Sequence, residues 1–286
     1  MKQNFSLSGF PDFTSMEIAR RQYVLSKIKD KFNCFGFLPI STSILEKRSN
    51  LVDSYGDDGD KLIFQILRSG DYLSKLQLNT KKLSSKDLSE LISDKSLRYD
   101  LTVPFARFTA KNQSQITFPF KRYEIGYVFR ADRPQRGRFR QFIQCDADII
   151  GSRSLWLEID LINLINSVFT SLSLKDIVIK ISNRKVLEGI FNSFTTPLSF
   201  TEFCIIIDKL DKINIDKVGE ILLEKEFLKE DVMFLKNLFS FKGSFEEKKK
   251  FILSKVTLNN TLETGFNELT FILDRIPLLN QLIDID

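Results

Sequence analysis

Residues 121–131 and 138–150 alternate polar and apolar side chains as two β-strands do, and the stretch between them carries Pro134 and Gly137, so the pattern predicts a hairpin. Its odd positions, Tyr123, Ile125, Tyr127, Phe129, Phe139, Ile143, Cys145, Ala147 and Ile149, make one apolar face that reads as the core side. Its even positions, Arg122, Glu124, Arg130, Arg138, Arg140, Gln144, Asp146 and Asp148, share the other face if the strands pair in an even register. Upstream, residues 14–35 have helical spacing with Leu25, Ile28, Phe32 and Phe35 on one stripe. Thr14 and Glu17 stand as a capping box and Gly36 ends the run. Strands are expected over 37–45 and 62–67. The Lys- and Ser-rich stretch 75–95 reads as a surface excursion before a strand that carries Arg98 and Asp100, and Pro104 suits the first turn of a short helix through Asn112. After the hairpin, 155–169 is helical with Ile159, Leu161, Ile162 and Ile165 inward, and 177–181 is a strand. From about Thr201 the chain turns to Leu/Lys/Glu-rich helical patterns, 218–226 and 231–239 among them, and strand character returns only in the last few residues. The pattern alone reaches mixed α and β, helix-rich toward the end, without an internal repeat.

The chemistry the chain can carry is narrowed most by a count of zero histidines among 286 residues. That excludes Ser-His-Asp and Cys-His catalysis, His-ligated metals and histidine as a general base, leaving arginine, carboxylates, amides, hydroxyls and metal-bound phosphate. Five arginines, Arg130, Arg133, Arg136, Arg138 and Arg140, surround the hairpin turn, and guanidinium groups grip phosphate oxygens bidentately. By alternation alone, the even face is equally a solvated face of a half-buried hairpin. Composition adds bounds: 43% hydrophobic and 28% charged residues describe a globular chain, and a net charge of +5 with pI near 8.9 permits nucleic-acid contact without demanding it. Cys34, Cys145 and Cys204 form no C-x-x-C pair, so neither a disulfide framework nor a zinc site is indicated, and a reducing cytoplasm fits. No apolar run reaches membrane-spanning length, and residues 1–6 lack a signal-peptide apolar region.

The hairpin segment Phe129-Arg130-Ala131-Asp132-Arg133-Pro134-Gln135-Arg136-Gly137-Arg138-Phe139-Arg140-Gln141-Phe142 resembles motif 2 of class II aminoacyl-tRNA synthetases, in the version of the histidyl-tRNA synthetases. Leu97-Arg98-Tyr99-Asp100-Leu101-Thr102-Val103-Pro104-Phe105-Ala106-Arg107-Phe108 resembles that family's amino-acid-binding segment. With Tyr55-Gly56-Asp57-Asp58-Gly59-Asp60-Lys61-Leu62 and Ile179-Lys180-Ile181-Ser182-Asn183-Arg184-Lys185, the resemblance covers essentially the whole chain and is Bacteroidetes-like in flavour. It implies an α+β fold: a six-stranded antiparallel sheet flanked by helices, with a helical insertion toward the C-terminus. Residues 1–200 would be the part of the catalytic core that carries motifs 1 and 2, and 201–286 the helical insertion and the start of the next core strand.

The resemblance also implies roles. Arg130 would be the catalytic arginine that holds the ATP α-phosphate as pyrophosphate leaves, and it is counted with the histidine site as well. Arg138 would orient ATP or the histidine carboxylate. Asp100, Leu101, Thr102 and Gln144 would form the pocket around the α-ammonium group, and Asp148 would accept the imidazole N–H. Arg133, Arg136 and Arg140 could meet the tRNA acceptor end or solvent phosphate. Expected ligands and partners are histidine, ATP with its Mg²⁺, tRNA(His) and a second copy in a homodimer, with no protein-bound metal, no membrane and a cytoplasmic location. Three departures from the family stand out. Gly9-Phe10-Pro11-Asp12 replaces a Gly-Thr-Arg-Asp opening, Ser43 replaces a motif 1 proline at the dimer interface, and the second histidine motif, motif 3 and the anticodon-binding domain are absent from residues 1–286. The chain alone is therefore expected to show little histidine-dependent ATP–pyrophosphate exchange. Two other readings stay open: a synthetase-like regulatory subunit of ATP phosphoribosyltransferase and, ranked last, a plain RNA-binding module.

Overall fold

The structure is a computed structural model that describes residues 7–52, 61–72, 84–277, 279 and 283–285. The Tyr55–Asp60 part of one family-like block lies outside the described residues. The chain divides into two compact units: Met1–Arg153 with Asn166–Leu172, and Ser154–Ile165 with Ser173–Asp286.

In the first unit, α1 runs Ser15–Cys34 and opens with the expected capping box, Thr14 and Glu17 satisfying each other's backbone amides. It stops where expected: Gly36 has φ +77°, the left-handed conformation that closes many helices. The expected strand over 37–45 is instead two short ones, β1 (Leu38–Pro39) and β2 (Leu45–Lys47). Thr42, between them, is drawn to the Glu124 carboxylate by its backbone N–H at 3.0 Å, a bond that takes this stretch of backbone out of any ladder. A short helix α2 (Arg48–Leu51) and β3 (Gln65–Leu67) follow. Part of the expected surface excursion is regular: α3 (Ser85–Ile92) carries a Ser84–Asp87 capping box and passes directly into β4 (Ser93–Leu97), whose Ser93 and Ser96 are buried. Arg98 and Asp100 lie just past that strand. Helix α4 (Thr102–Asn112) holds Pro104 in its first turn, where a missing N–H costs nothing.

The hairpin is β5 (Phe120–Phe129) and β6 (Gln141–Ile150), paired antiparallel with Arg122 opposite Asp148, Glu124 opposite Asp146, Gly126 opposite Gln144 and Val128 opposite Phe142. The even register is present. The assignment of the odd face alone to the core is overturned, because β5 is the central strand of the order β1-β5-β6 and is covered on both sides. On the odd side Tyr123 packs its ring 5.2 Å from Phe32 of α1, while Tyr127 is 36% exposed. On the even side Arg122, Glu124 and Val128 are buried, with Arg122 against Phe105 of α4. A strand covered on both faces has no dry side that polarity alone can identify. Among the described residues the strands pair in three groups, β1-β5-β6, β2-β4-β3 and β7-β8, in place of one six-stranded antiparallel sheet, and the β1–β5 and β7–β8 pairs are parallel.

The second unit is mostly helical. Helix α5 (Trp156–Ser171), of which only Trp156–Ile165 falls in this unit, buries Ile159, Ile162 and Leu164, but Ile165, expected inward, is 40% exposed. Strands β7 (Ile179–Ile181) and β8 (Ile283–Ile285) pair beside an apolar cluster of Ile159, Ile162, Ile272, Ile276 and Leu279. Between those strands, six further α-helices stand among the described residues: α6 (Arg184–Phe191), α7 (Phe200–Ile207), α8 (Ile215–Glu224), α9 (Lys229–Ser240), α10 (Phe245–Leu253) and α11 (Asn260–Arg275). Their core is rich in phenylalanine, with Phe203 and Phe227 stacked at 5.8 Å and Phe234 and Phe251 at 5.7 Å. No described helix is long and apolar enough to cross a membrane.

Candidate functional site

The even face of the hairpin is built on a layer of buried charge. Arg98, 3% exposed, is fastened on three sides: Nε donates to the Tyr127 carbonyl at 2.7 Å, and Nη1 donates to Glu124 at 2.8 Å and to the Thr42 carbonyl at 3.1 Å. Glu124 also accepts from the Thr42 hydroxyl and backbone N–H. The guanidinium of Arg98 fills the space that a side chain at Gly126 would take, since a Cβ there would lie 2.2 Å from Nη2. Gln144 stands directly across from that glycine. Its Oε1 is buried and has no hydrogen-bond partner, an acceptor suited to a cationic or N–H-bearing group.

One step along the pair is a second arginine. Arg122 is fully buried; its Nη2 lies 2.5 Å from Asp148 Oδ2 and 3.3 Å from the Leu101 carbonyl, to which it donates, and its guanidinium sits 4.1 Å over the Phe105 ring. The contact with Asp148 is one of charge, as no N–H of Arg122 is aligned on that oxygen. Burial pushes the Asp148 carboxyl above the usual aspartate range, Arg122 pulls it back, and Asp100 pushes it further up. The neighbouring Asp146 is raised too, first by burial and then by the Asp148 charge. Burial lowers the Arg122 guanidinium, and Asp148, Asp146, Glu124 and Asp100 oppose that. Carboxylates from two strands and one loop thus crowd around Arg122, with Glu124 also paired to the buried Arg98.

Asp100 lies close enough to this group to be felt electrostatically, and its Oδ1 accepts from the backbone N–H groups of Thr102 and Val103 at 3.1 and 3.2 Å. That bond fixes the Asp100-Leu101-Thr102 corner at the head of α4, with Leu101 buried and Thr102 exposed. Arg130, just beyond β5, turns back along the even face. Its Nε donates to the Tyr99 carbonyl at 3.2 Å, and its guanidinium lies 4.3 Å over the Tyr99 ring and 5.4 Å from the Phe142 ring centre. The structure therefore places Asp100, Leu101, Thr102, Gln144, Asp148 and Arg130 along one face and the loop beside it. Arg138 is placed differently: it pairs with Asp132 at 3.2 Å and lines a cavity of about 340 Å³ with residues 7–11, Pro134, Gln135 and Phe139. Arg140 holds the Asp132 carbonyl at 2.9 Å, and its backbone N–H donates to the Gly9 carbonyl at 2.8 Å, while Arg133 and Arg136 are exposed at the turn.

The residues that sequence reasoning missed are the supports. Arg98 stands in a family-like block and Arg122 and Glu124 on the even hairpin face, but no role was assigned to any of them, and Thr42 carried no signal at all. The one available clue was the shared even parity of Arg122 and Glu124 on one strand with Asp148 and Asp146 on the next, which the register sets opposite them in that order.

A family model described as histidyl-tRNA synthetase matches residues 93–283, the stretch that holds all of these groups except Thr42. Among curated relatives, the histidine–tRNA ligases of Flavobacterium johnsoniae and Christiangramia forsetii are 42% and 43% identical, each over 97% of this chain and over 63% and 62% of their own lengths. That of Cytophaga hutchinsonii is 46% identical over 84% of this chain and 53% of its own length. The chain thus spans about three fifths of the length of the curated relatives it matches. The crystal structure of histidyl-tRNA synthetase from Nostoc sp. PCC 7120 superposes with a TM-score of 0.76 at 30% identity, covering 100% of this chain and 61% of that one. An ATP phosphoribosyltransferase regulatory subunit/histidyl-tRNA synthetase from Bacillus halodurans C, at 16% identity and a TM-score of 0.76, shares the fold. From the matched motifs, the register that assembles them and these similarities, the chain belongs to the histidyl-tRNA synthetase family.

Proposed function

We propose that this chain carries the histidine- and ATP-binding face of a histidine–tRNA ligase, which activates histidine to histidyl-adenylate and transfers it to the 3′ end of tRNA(His). The observation that carries the reading is the hairpin register, which sets the orphaned acceptor of Gln144 and the Asp148 carboxylate four residues apart on one face of β6, beside the Asp100 corner. In this reading the α-ammonium group of histidine is received by Gln144 and Asp100 with Thr102 and Leu101 closing the corner, and Asp148 accepts the imidazole N–H. A carboxylate meeting an imidazole selects histidine over apolar amino acids of similar size. A histidine carboxylate oxygen attacks the α-phosphorus, the bond from that phosphorus to the leaving pyrophosphate breaks, and Arg130 stabilises the charge that develops. Arg138 orients ATP once released from Asp132. The Mg²⁺ that travels with ATP neutralises phosphate charge, and no residue of this chain is assigned to it. The partners in this reading are tRNA(His) and a second copy of the chain in a homodimer, and a reaction that needs ATP and tRNA belongs in the cytoplasm.

The test is calorimetric titration of the chain with L-histidine, followed by ATP–pyrophosphate exchange with and without the segment of the Flavobacterium johnsoniae relative that this chain does not match. The expected result is binding selective for histidine, little exchange by the chain alone, and exchange on complementation. Absence of histidine binding would overturn the reading.

A further inference from the structure

Arg122 is an expensive residue for its position. It is fully buried and so bears the whole cost of desolvation, two of its nitrogens, Nε and Nη1, have no acceptor, and burial weakens its hold on its proton. A buried ion pair of this kind is weak evidence for stability, because an apolar side chain of similar size commonly does as well or better. What Arg122 does and an apolar side chain cannot is touch two recognition segments at once. Its Nη2 reaches the Asp148 carboxylate of β6 at 2.5 Å and the Leu101 carbonyl at 3.3 Å, and stacking on Phe105 of α4 holds the guanidinium plane in place.

We propose that Arg122 is a positioning residue of the histidine pocket, tying the Asp148 carboxylate to the Asp100-Leu101-Thr102 corner so that the two ends of the amino acid are read at one fixed separation. The inference rests on the histidine-pocket reading above. Arg122 has no exposed surface and does not touch the ligand. It acts through its two partners, setting where the carboxylate points and keeping it ionised among like charges. The groups that bear on Asp148 are Asp146 on the same strand, Asp100 from the corner and Arg122 from the strand opposite, with Glu124 adding to the field at Arg122. Arg122 alone in this set is a cation. A lysine would keep that charge but, lacking the planar fork, could not also hold the Leu101 carbonyl and the Phe105 ring.

The two parts of the role separate in two variants, Arg122→Lys and Arg122→Met, titrated with L-histidine and separately with ATP between pH 5 and 8. Both are expected to weaken histidine at pH 7.5 by about tenfold or more, a loss of about 1.4 kcal/mol, and to leave ATP affinity within about threefold of the parent on the same scale. Arg122→Lys should keep the parent's acid limb of histidine binding. Arg122→Met should move it to higher pH, because Asp148 then loses the cation that keeps it charged. The imidazole of the ligand titrates identically against all three proteins and cancels in the comparison. If Arg122→Met fails to fold by circular dichroism, Arg122→Lys decides on affinity alone. Parent-like histidine affinity in the folded variants, or equal losses of histidine and ATP, would overturn the proposal while leaving the pocket reading intact. A parent chain that does not bind histidine would overturn both, and the parent titration alone shows which has failed.

Discussion

Gly126→Ala is the sharpest perturbation the fold offers. The backbone of Gly126 is in an ordinary conformation, so nothing is strained by adding a side chain as such. The obstacle is Arg98, whose Nη2 would lie 2.2 Å from the new methyl and whose Cζ would lie 3.3 Å away. The end of an arginine normally moves aside cheaply, but here it is 3% exposed and held by Tyr127, Thr42 and Glu124 at 2.7 to 3.1 Å. Overpacking alone costs about 1–3 kcal/mol, and dislodging one partner of a buried ion pair about 3–5 kcal/mol. Partial displacement of Arg98 puts the expected loss near ~3 kcal/mol, or roughly 6–12 °C in melting temperature at about 2–4 °C per kcal/mol. Trp156, the only tryptophan, lies in the second unit and is the wrong reporter. Hydrogen exchange of the β5 and β6 amides, with circular dichroism, reads the right one. Gly36→Ala is the control, with open space but φ +77°, and should cost only about 1 kcal/mol of backbone strain. A Gly126→Ala protein within about 0.5 kcal/mol of the parent would show that the Arg98 network is not held as the geometry implies.

Three further outcomes follow from the same face. Asp148→Asn should weaken histidine by roughly 30-fold or more, from the ~2–5 kcal/mol typical of losing one partner of a buried charged pair, whereas Arg130→Ala should lower the adenylation rate on complementation with a smaller effect on histidine. Calorimetry and pyrophosphate exchange separate the two, and equal effects on histidine would refute the assignment. Asp146 has its carboxyl raised by burial, so its contribution to stability is present below the unfolded value near 3.8 and is lost as pH rises through the higher folded value; denaturant melts should find Asp146→Asn gaining on the parent as pH rises across that window, and a flat difference would refute it. Burial pushes the Cys145 thiol up to about 11, while Cys34 is exposed, so iodoacetamide at pH 8 should label Cys34 well before Cys145 by peptide mass mapping.

Much of this chain was legible before any fold was known, wherever the signal is local. Thr14 and Glu17, three residues apart, are enough to start α1, Gly36 is enough to stop it, and Pro104 marks the head of α4, because caps and turns are settled by neighbours within a few residues. The even register of the hairpin was legible too, since strand side chains alternate with a period of two. What sequence could not decide is which face of β5 would be dry. That depended on α1 and α4 arriving on opposite sides, and it left Tyr127 partly exposed and Arg122 buried. The split of 37–45 into two strands turned on Thr42 bonding to a carboxylate 82 residues away. Arg138 was aligned by motif with the other arginines, yet its charge is spent on Asp132 at the turn. The supports Arg98, Arg122, Glu124 and Thr42 make the same point: a buried charge is tolerable only where distant segments bring it partners, so the residues that hold the site are chosen by tertiary packing, while the residues proposed to meet the ligand already stood in the pattern of the chain.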